Sequence, residues 1–75
     1  SARLIRMVGP AGAAVYINGT YKGVAPCSFT KVIGSVTLTL TKEGCTTKSY
    51  SVTITDDAQD VSWSFPDLEA ASSQG

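Results

Sequence analysis

Apolar and polar residues alternate with a period of two along three stretches of the chain. The apolar positions of these stretches are Val36, Leu38 and Leu40, then Tyr50, Val52 and Ile54, and finally Val61, Trp63 and Phe65. Ser or Thr fills the positions between them. Because successive side chains of a β-strand point to opposite faces, this alternation predicts strands with an apolar inner face and a hydroxyl-bearing outer face. We therefore expect three strands here, with Trp63 in the core.

Shorter apolar stretches predict further strands nearer the start of the chain. They are "RLIRMV" at 3–8, "AAVYI" at 13–17 and "GVAPCSF" at 23–29. The last of these is expected to be a short edge strand, because Pro26 cannot donate a hydrogen bond to a ladder. No stretch shows the period of 3.6 residues that is typical of an amphipathic helix.

Turn signals between the three long strands indicate how they pair. A turn that contains Gly44 separates 36–41 from 48–55, and an acidic turn separates 50–55 from 61–65. Short connections favour antiparallel neighbours, so we expect a meander. With the earlier strands, this predicts an all-β fold, namely a small β-sandwich of about five to seven mostly antiparallel strands.

Length and charge narrow the class of protein. The chain has 75 residues, with six basic and six acidic side chains and no His. We expect one domain at 3–66, followed by a flexible tail or linker at 67–75. Nucleic-acid-binding modules usually carry a basic excess, so nucleic acid is not expected as a partner. The lack of His argues against metal and cofactor sites, and no apolar run reaches the ~20 residues of a membrane-spanning helix.

The stretch "INGTYKG" at 17–23 places turn residues between apolar ones. Asn18 and Gly19 tolerate positive φ angles and predict a strand–turn–strand connection. Gly23 is expected to allow a bulge or a close backbone approach. Tyr16 is out of phase with its apolar neighbours and is expected to be exposed, and Tyr21, at the turn, is the better candidate for a contact residue.

The two cysteines, Cys27 and Cys45, leave two interpretations open. One disulfide would be a natural staple in a small strand-rich domain, and it would stabilise the fold by roughly 3 kcal/mol in the chain-entropy model. The alternative is a pair of reduced, buried thiols that pack as small apolar side chains. We favour the disulfide, because the Ser- and Thr-rich composition suits an exported domain and the lack of His argues against a shared metal.

The order of these residues resembles the PEGA domain, a bacterial and archaeal module of about this size. The positions that fit its pattern are Val15, Ile17, Asn18, Gly19, Gly23 and Pro26, then Ile33, Gly34, Val36, Leu38 and Leu40, and finally the turn Lys42, Glu43 and Gly44. The resemblance covers about 11–66. This chain departs from the family pattern at Ala25, where Thr is usual, and at Cys45, where an aromatic residue is usual. Both cysteines stand at family-aligned points that could be neighbours, and the resemblance thereby strengthens the disulfide prediction.

The resemblance implies a prealbumin-like, extracytoplasmic β-sandwich in the periplasm or at the cell surface, whose membrane tether, if any, lies outside this chain. It implies a non-catalytic module of a bacterial exported or surface protein, acting as a spacer or as a binding unit for a protein or cell-surface glycan. The family motif is turn geometry, so its residues carry over as structural positions only: Asn18, Gly19, Gly23, Pro26, Gly34 and Gly44. We expect a monomer with a contact loop at Thr20, Tyr21 and Lys22.

The alternative function belongs to a different class of protein. It is a stand-alone exported effector, such as a lipoprotein-type inhibitor or exclusion factor, that blocks a partner protein through an edge strand or a loop. The sequence that flanks these residues in the full-length gene distinguishes the two interpretations. A large neighbouring domain favours the module, whereas a lipoprotein signal with nothing else favours the effector.

Other candidate chemistry has a simpler explanation in each case. Asn18–Thr20 matches an N-glycosylation sequon, which a hairpin turn already explains. Asp56, Asp57 and Asp60 could collect a hard cation, but they lack an extended ligand pattern, and a solvated turn is favoured. No cysteine or serine has a His to act as its base, so no catalytic residue is predicted.

Overall fold

The computed structural model describes residues 3–71, which form seven strands in two sheets. The strands are β1 (Leu4–Gly9), β2 (Ala14–Ile17), β3 (Thr20–Val24), β4 (Cys27–Thr30), β5 (Gly34–Thr41), β6 (Lys48–Ile54) and β7 (Val61–Ser64). Residues 3–71 contain no helix, so this part of the chain has no helix long and apolar enough to cross a membrane. The prediction of an all-β fold is confirmed.

One sheet has four strands and the other has three. The larger sheet runs in the order β3-β2-β5-β6, and every neighbouring pair in it is antiparallel. The smaller sheet runs in the order β4-β1-β7, with β1 antiparallel to β4 and parallel to β7. The predicted sandwich of mostly antiparallel strands is therefore confirmed, as is the pairing of β5 with β6.

The predicted meander is wrong in its last step. Instead of pairing with β6, β7 crosses to the other sheet and lies beside β1, where Val61 is opposite Ile5 and Trp63 is opposite Met7. The stretch predicted as one strand at 23–29 likewise divides at Pro26 into β3 and β4, which belong to different sheets. Alternation cannot distinguish these arrangements, because it determines which face of a strand is apolar but not which sheet receives the strand.

The centre of the core lies between the central strands of the two sheets. Ile5 and Met7 on β1 face Val15 on β2 and Leu38 and Leu40 on β5, and all five side chains are fully buried. Burial of an apolar side chain of this size contributes ~1.5–3 kcal/mol to folding. A few such side chains therefore supply most of the stabilisation that a domain of this length can obtain from its core.

The core is less closed along the flank where β6 and β7 form the sheet edges. Val61, Trp63 and Phe65 pack against the core in the predicted phase, but each is only half-buried. The Phe65 ring lies 4.6 Å from the Tyr50 ring and 6.0 Å from the Trp63 ring, measured between centroids. Trp63 therefore lies at the margin of the core and not at its centre. At this margin, contacts among aromatic rings fill the space between the two sheets.

The loop at 55–60, which takes the chain from β6 to β7, is held by Lys31. The Lys31 side chain is only 5% exposed, and its Nζ lies 2.7 Å from Asp57 Oδ1. The same Nζ donates to the backbone carbonyl of Gln59 at 2.7 Å. Since Lys31 directly follows β4, these bonds attach the loop to the smaller sheet.

Two further bonds fasten this loop to the start of β1. The backbone N–H of Leu4 donates to Asp60 Oδ1 at 2.9 Å, and Arg3 Nε donates to the carbonyl of Ala58 at 2.6 Å. Both join residues that lie more than fifty positions apart in the chain. They hold the residues that precede β7 beside the start of β1, with which β7 pairs in parallel.

The segment after β7 differs from the predicted tail at 67–75. Its backbone runs beside the turn that follows β5, where Thr46 N donates to the carbonyl of Glu69 and Ala71 N donates to that of Gly44, both at 2.8 Å. The first part of the predicted tail is therefore attached to the domain. The remainder lies outside the described residues.

Candidate functional site

The Asn-Gly turn between β2 and β3 positions the predicted contact loop. The φ angle is +51° at Asn18 and +82° at Gly19, so both residues have left-handed backbone. Asn and Gly adopt such angles at the lowest cost, and a tight hairpin with these angles follows the twist of its strands. The turn places Thr20 opposite Ile17 and returns the chain along the edge of the larger sheet.

The Asn18 side chain has a second role that the sequence pattern did not indicate. Its Oδ1 accepts a hydrogen bond from Thr37 N at 2.9 Å, while Asn18 N donates to the carbonyl of Thr37 at 2.9 Å. These two bonds tie the turn to β5, which begins sixteen residues further along the chain at Gly34. No local pattern carries information about this pairing, because it depends on the neighbour that β2 acquires in the sheet.

A β-bulge in β3 lies directly after the pair formed by Tyr16 and Tyr21. Val15 is opposite Gly23 and Tyr16 is opposite Tyr21, so Lys22 is the extra residue of the bulged strand. The φ angle of +139° at Gly23 is one that L side chains rarely adopt. The two-residue turn sets Tyr21 directly across from Tyr16, and the bulge then shifts the register of β3 by one residue beyond this pair.

The two tyrosine rings meet edge to face on the outer side of the larger sheet. Their centroids are 5.6 Å apart with an interplanar angle of 60°, a favourable geometry for aromatic pairs. Tyr21 is 56% exposed, whereas Tyr16 is half-buried because Tyr21 packs beside it. Of the predicted contact loop, Thr20 is exposed and Lys22 is half-buried, so Tyr21 supplies the largest accessible apolar surface.

Hydroxyl side chains cover the rest of this side of the sheet. Three pairs stand directly across β5 and β6: Ser35 with Thr53, Thr37 with Ser51, and Thr39 with Ser49. In the last pair the two hydroxyl oxygens are 3.1 Å apart and hydrogen-bonded. We call this surface the hydroxyl face and define it by nine residues: Tyr16, Tyr21, Ser35, Thr37, Thr39, Thr41, Ser49, Ser51 and Thr53.

The structure corrects the disulfide prediction, because Cys27 and Cys45 are both free, half-buried thiols. Cys27 begins β4, and a Cβ atom at Gly23 would lie 3.3 Å from its Sγ atom. Cys45 forms an isolated bridge with Ala70 of the segment that follows β7. Each cysteine thus packs against its own neighbouring segment, and burial raises the pKa of the Cys27 thiol, which disfavours the reactive thiolate.

The acidic loop does not gather its carboxylates around a common point. Asp57 bonds to Lys31, Asp60 accepts from Leu4 N, and Asp56 is exposed. The Lys31 side chain, and after it Thr55, holds the pKa of Asp57 below its ordinary value. Within residues 3–71 no cluster of His, Cys, Asp or Glu could hold a metal ion.

A shallow pocket of about 200 Å³ opens between the start of β6 and the segment after β7. Its lining residues are Thr46, Lys48, Tyr50, Pro66, Asp67, Leu68 and Glu69. Small-molecule sites usually enclose ~300–1,000 Å³. The pocket is lined by side chains of both charges and by apolar ones, and it is smaller than a typical ligand site.

The fold is that of a small β-sandwich module whose motif residues lie in tight turns. One outer face of this module is uncharged and carries aromatic and hydroxyl groups. The family model of the PEGA domain matches residues 8–68, and the chain belongs to this family. The prediction made from its turn residues is confirmed. PEGA domains are non-catalytic modules that typically lie outside the cytoplasm. No curated protein and no solved structure matches the chain.

The family match does not include all of β1. It begins at Val8, whereas β1 begins at Leu4 and contributes the fully buried Ile5 and Met7 to the core. The central strand of the smaller sheet therefore extends beyond the part of the chain that the family model matches.

Proposed function

We propose that this chain is a non-catalytic extracytoplasmic module of a bacterial exported or surface protein and that it binds material of the cell surface. The observation that carries the proposal is the hydroxyl face, where the exposed Tyr21 ring lies beside rows of Ser and Thr. Family membership supports the extracytoplasmic location and the lack of catalysis.

A binding role accounts for this surface better than a purely mechanical spacer does. Tyr and other amphipathic aromatic residues are enriched in interfaces, because one end of the ring system is apolar and the other can remain hydrated. Tyr21 combines both properties at an edge strand, with 56% of its surface accessible. A mechanical spacer would function equally well with any polar residue in place of Tyr21.

Co-sedimentation with bacterial cells tests the proposal. The purified domain should pellet with intact cells or isolated cell envelopes, and it should not be retained on beads that carry immobilised cytosolic proteins. In cells that make the parent protein, antibody against the domain should label it without lysis of the inner membrane. Equal retention on the cytosolic beads, or labelling only after that membrane is lysed, would contradict the proposal.

The exported effector is a second candidate, favoured by the edge of β6. This edge strand has seven residues with no Pro and no bulge, whereas the opposite edge of the same sheet, β3, is interrupted at Lys22. A long, regular edge can accept a strand from a partner protein. Protease treatment of the cells separates the candidates, since loss of binding favours a protein partner and retained binding favours a glycan.

A further inference from the structure

We infer that the hydroxyl face binds a linear, uncharged polysaccharide, with Tyr21 and Tyr16 as the platform for a sugar ring and the Ser and Thr rows as hydrogen-bond partners. The inference rests on the proposed function and specifies its site and its ligand class. It is carried by the charge distribution, the register of the strands and the exposure of the tyrosines.

Charge is segregated away from this surface. The chain has twelve charged side chains, six of each sign; none stands at an outward position of β2, β5 or β6, and β3 carries one, Lys22, at the bulge beside Tyr21. Lys48 belongs to β6, but it is opposite Leu40 and therefore in phase with the inner face. An uncharged face offers no compensation for the desolvation of a charged ligand, whereas it suits a neutral one.

The polar groups of the face are of the kind that match a polyol. A Ser or Thr hydroxyl both donates and accepts, as does each hydroxyl of a sugar. Successive outward positions on one strand are ~6.6 Å apart and neighbouring strands are ~4.8 Å apart, which gives a regular array of such groups. The array contains at least the three cross-strand pairs from Ser35 and Thr53 to Thr39 and Ser49.

The aromatic pair lies in line with this array. Tyr21 is opposite Tyr16, Tyr16 is opposite Thr39, and Thr39 is opposite Ser49, so one row crosses all four strands from ring to hydroxyl. A sugar ring presents C–H groups on its flat face and hydroxyls around its rim. A ring stacked on the tyrosines could therefore extend its hydroxyls over the neighbouring row, and following sugars could continue across the sheet.

The same features disfavour a protein as the occupant of this face. The centre of a protein–protein interface is depleted of Ser and enriched in large apolar and aromatic groups. Here seven of the nine defining residues are Ser or Thr, and the tyrosines stand at one side. A protein partner of the β6 edge would instead pair with the backbone and leave the outer side chains uncovered.

Titration with soluble oligosaccharides of cellulose, chitin and laminarin, followed by NMR, tests the inference. At least one of these neutral probes should shift the amide signals of β2, β3, β5 and β6. The Tyr21→Ala variant should bind it about tenfold or more weakly, because aromatic anchors dominate such contacts. The matched control is Val8→Ala, which removes a half-exposed apolar side chain from the smaller sheet and should bind as the wild type does.

Two further variants separate the possible ligand chemistries. Thr39→Val keeps the shape of the side chain and removes one hydroxyl, so it should weaken binding without altering the fold. Lys22→Ala should leave binding of the neutral probes unchanged. The inference is overturned if no neutral probe shifts these signals, if Tyr21→Ala binds normally, or if polygalacturonate binds better than the neutral probes and Lys22→Ala abolishes that binding.

The failure of this inference and the failure of the proposed function give different results. If Tyr21→Ala keeps its circular dichroism spectrum and still pellets with bacterial cells as the wild type does, the face assignment is wrong and the binding module stands. If the wild-type domain does not pellet with cells, the proposed function itself is wrong.

Discussion

The two sheets of this sandwich are assembled in different ways. The larger sheet is built from two hairpins, β2–β3 and β5–β6, whose strands are adjacent in the chain. The smaller sheet collects β1, β4 and β7 from the start, the middle and the end of the domain. The larger sheet is therefore specified mainly by local turns and alternation, whereas the smaller sheet depends on side-chain bonds between distant segments.

The hydrogen bonds follow the same division. In the larger sheet, the turn at Asn18 and Gly19 pairs neighbouring strands. Few long-range side-chain hydrogen bonds add to it beyond the one that Thr37 N donates to Asn18 Oδ1. The smaller sheet needs Lys31 and Asp60 to hold the crossover loop in place. Variants that weaken one kind of contact should therefore affect the two sheets unequally, unless the shared core makes them unfold together.

The largest effect is expected from Met7→Ala at the centre of the smaller sheet. Met7 is fully buried, and truncation of such a side chain typically lowers the free energy of unfolding by ~2–5 kcal/mol. Leu38→Ala is the matched change in the larger sheet, where the residue is also fully buried. Urea unfolding should show similar losses for both, with Trp63 fluorescence and far-UV circular dichroism changing together. Separate transitions would mean that the sheets fold as independent units.

The next effect is expected from Lys31→Met, which keeps an apolar stem and removes the amine from the crossover loop. Loss of charge-assisted hydrogen bonds from a side chain that is 5% exposed should lower the free energy of unfolding by about 1–3 kcal/mol. Lys48→Met is the control on an exposed position of the larger sheet and should stay within about 0.5 kcal/mol of the wild type. Equal stability of both variants would show that Lys31 does not hold the smaller sheet in place.

A smaller effect is expected from Gly23→Ala, near the end of β3, before the chain passes to the smaller sheet. Gly19 and Gly23 both have positive φ, so Ala at either position should cost on the order of 1–2 kcal/mol. A Cβ at Gly19 would meet open space, whereas one at Gly23 would lie 3.3 Å from Cys27 Sγ. Thermal unfolding should therefore show a larger loss for Gly23→Ala, with part of it recovered when Cys27→Ala is added. The close contact is unimportant if the two Ala variants lose the same stability.

The smallest effect is the pH dependence contributed by Asp57. Its bond to Lys31 lowers the pKa of the folded state below the ordinary 3.8. The unfolded state then binds more protons, so the stabilising contribution is fully present above that ordinary value and is lost as pH falls through the lower folded pKa. Acid titration of the unfolding free energy should show this loss in the wild type and a smaller one in Lys31→Met, where Thr55 and Gln59 still donate to Asp57. A loss in Lys31→Met equal to that of the wild type would contradict the assignment.

The sequence predicted the elements that depend on neighbouring residues. The alternating runs predicted β5, β6 and β7, the Asn-Gly pair predicted the hairpin of β2 and β3, and the turn residues identified the PEGA family. Each of these signals lies within a few residues of the feature that it predicts. These signals did not predict which sheet a strand joins, as the wrong pairing of β7 with β6 illustrates. The bonds from Lys31 to the loop before β7 belong to no sequence pattern.

The candidate surface was also predicted only in part. The sequence indicated an exposed tyrosine at the turn and hydroxyls on the outer faces of the strands, because phase determines the face of each side chain. It did not indicate that Tyr21 and Tyr16 lie in one row with Thr39, since that alignment depends on the register of the β2–β3 hairpin and on the pairing of β2 with β5. The disulfide was predicted from the presence of two cysteines, and their neighbours Gly23 and Ala70 became known only from the structure.

By itself, the sequence determined an all-β module with one apolar and one hydroxyl-bearing face on its longest strands. These properties follow from periodic or local sequence patterns, so they do not depend on which strands pair. Only the tertiary structure decided that β7 joins β1, that the cysteines pack apart, and that two tyrosines meet beside an uncharged hydroxyl array. These outcomes depend on how strands and loops pack together, and the alternation permits several such arrangements without selecting one.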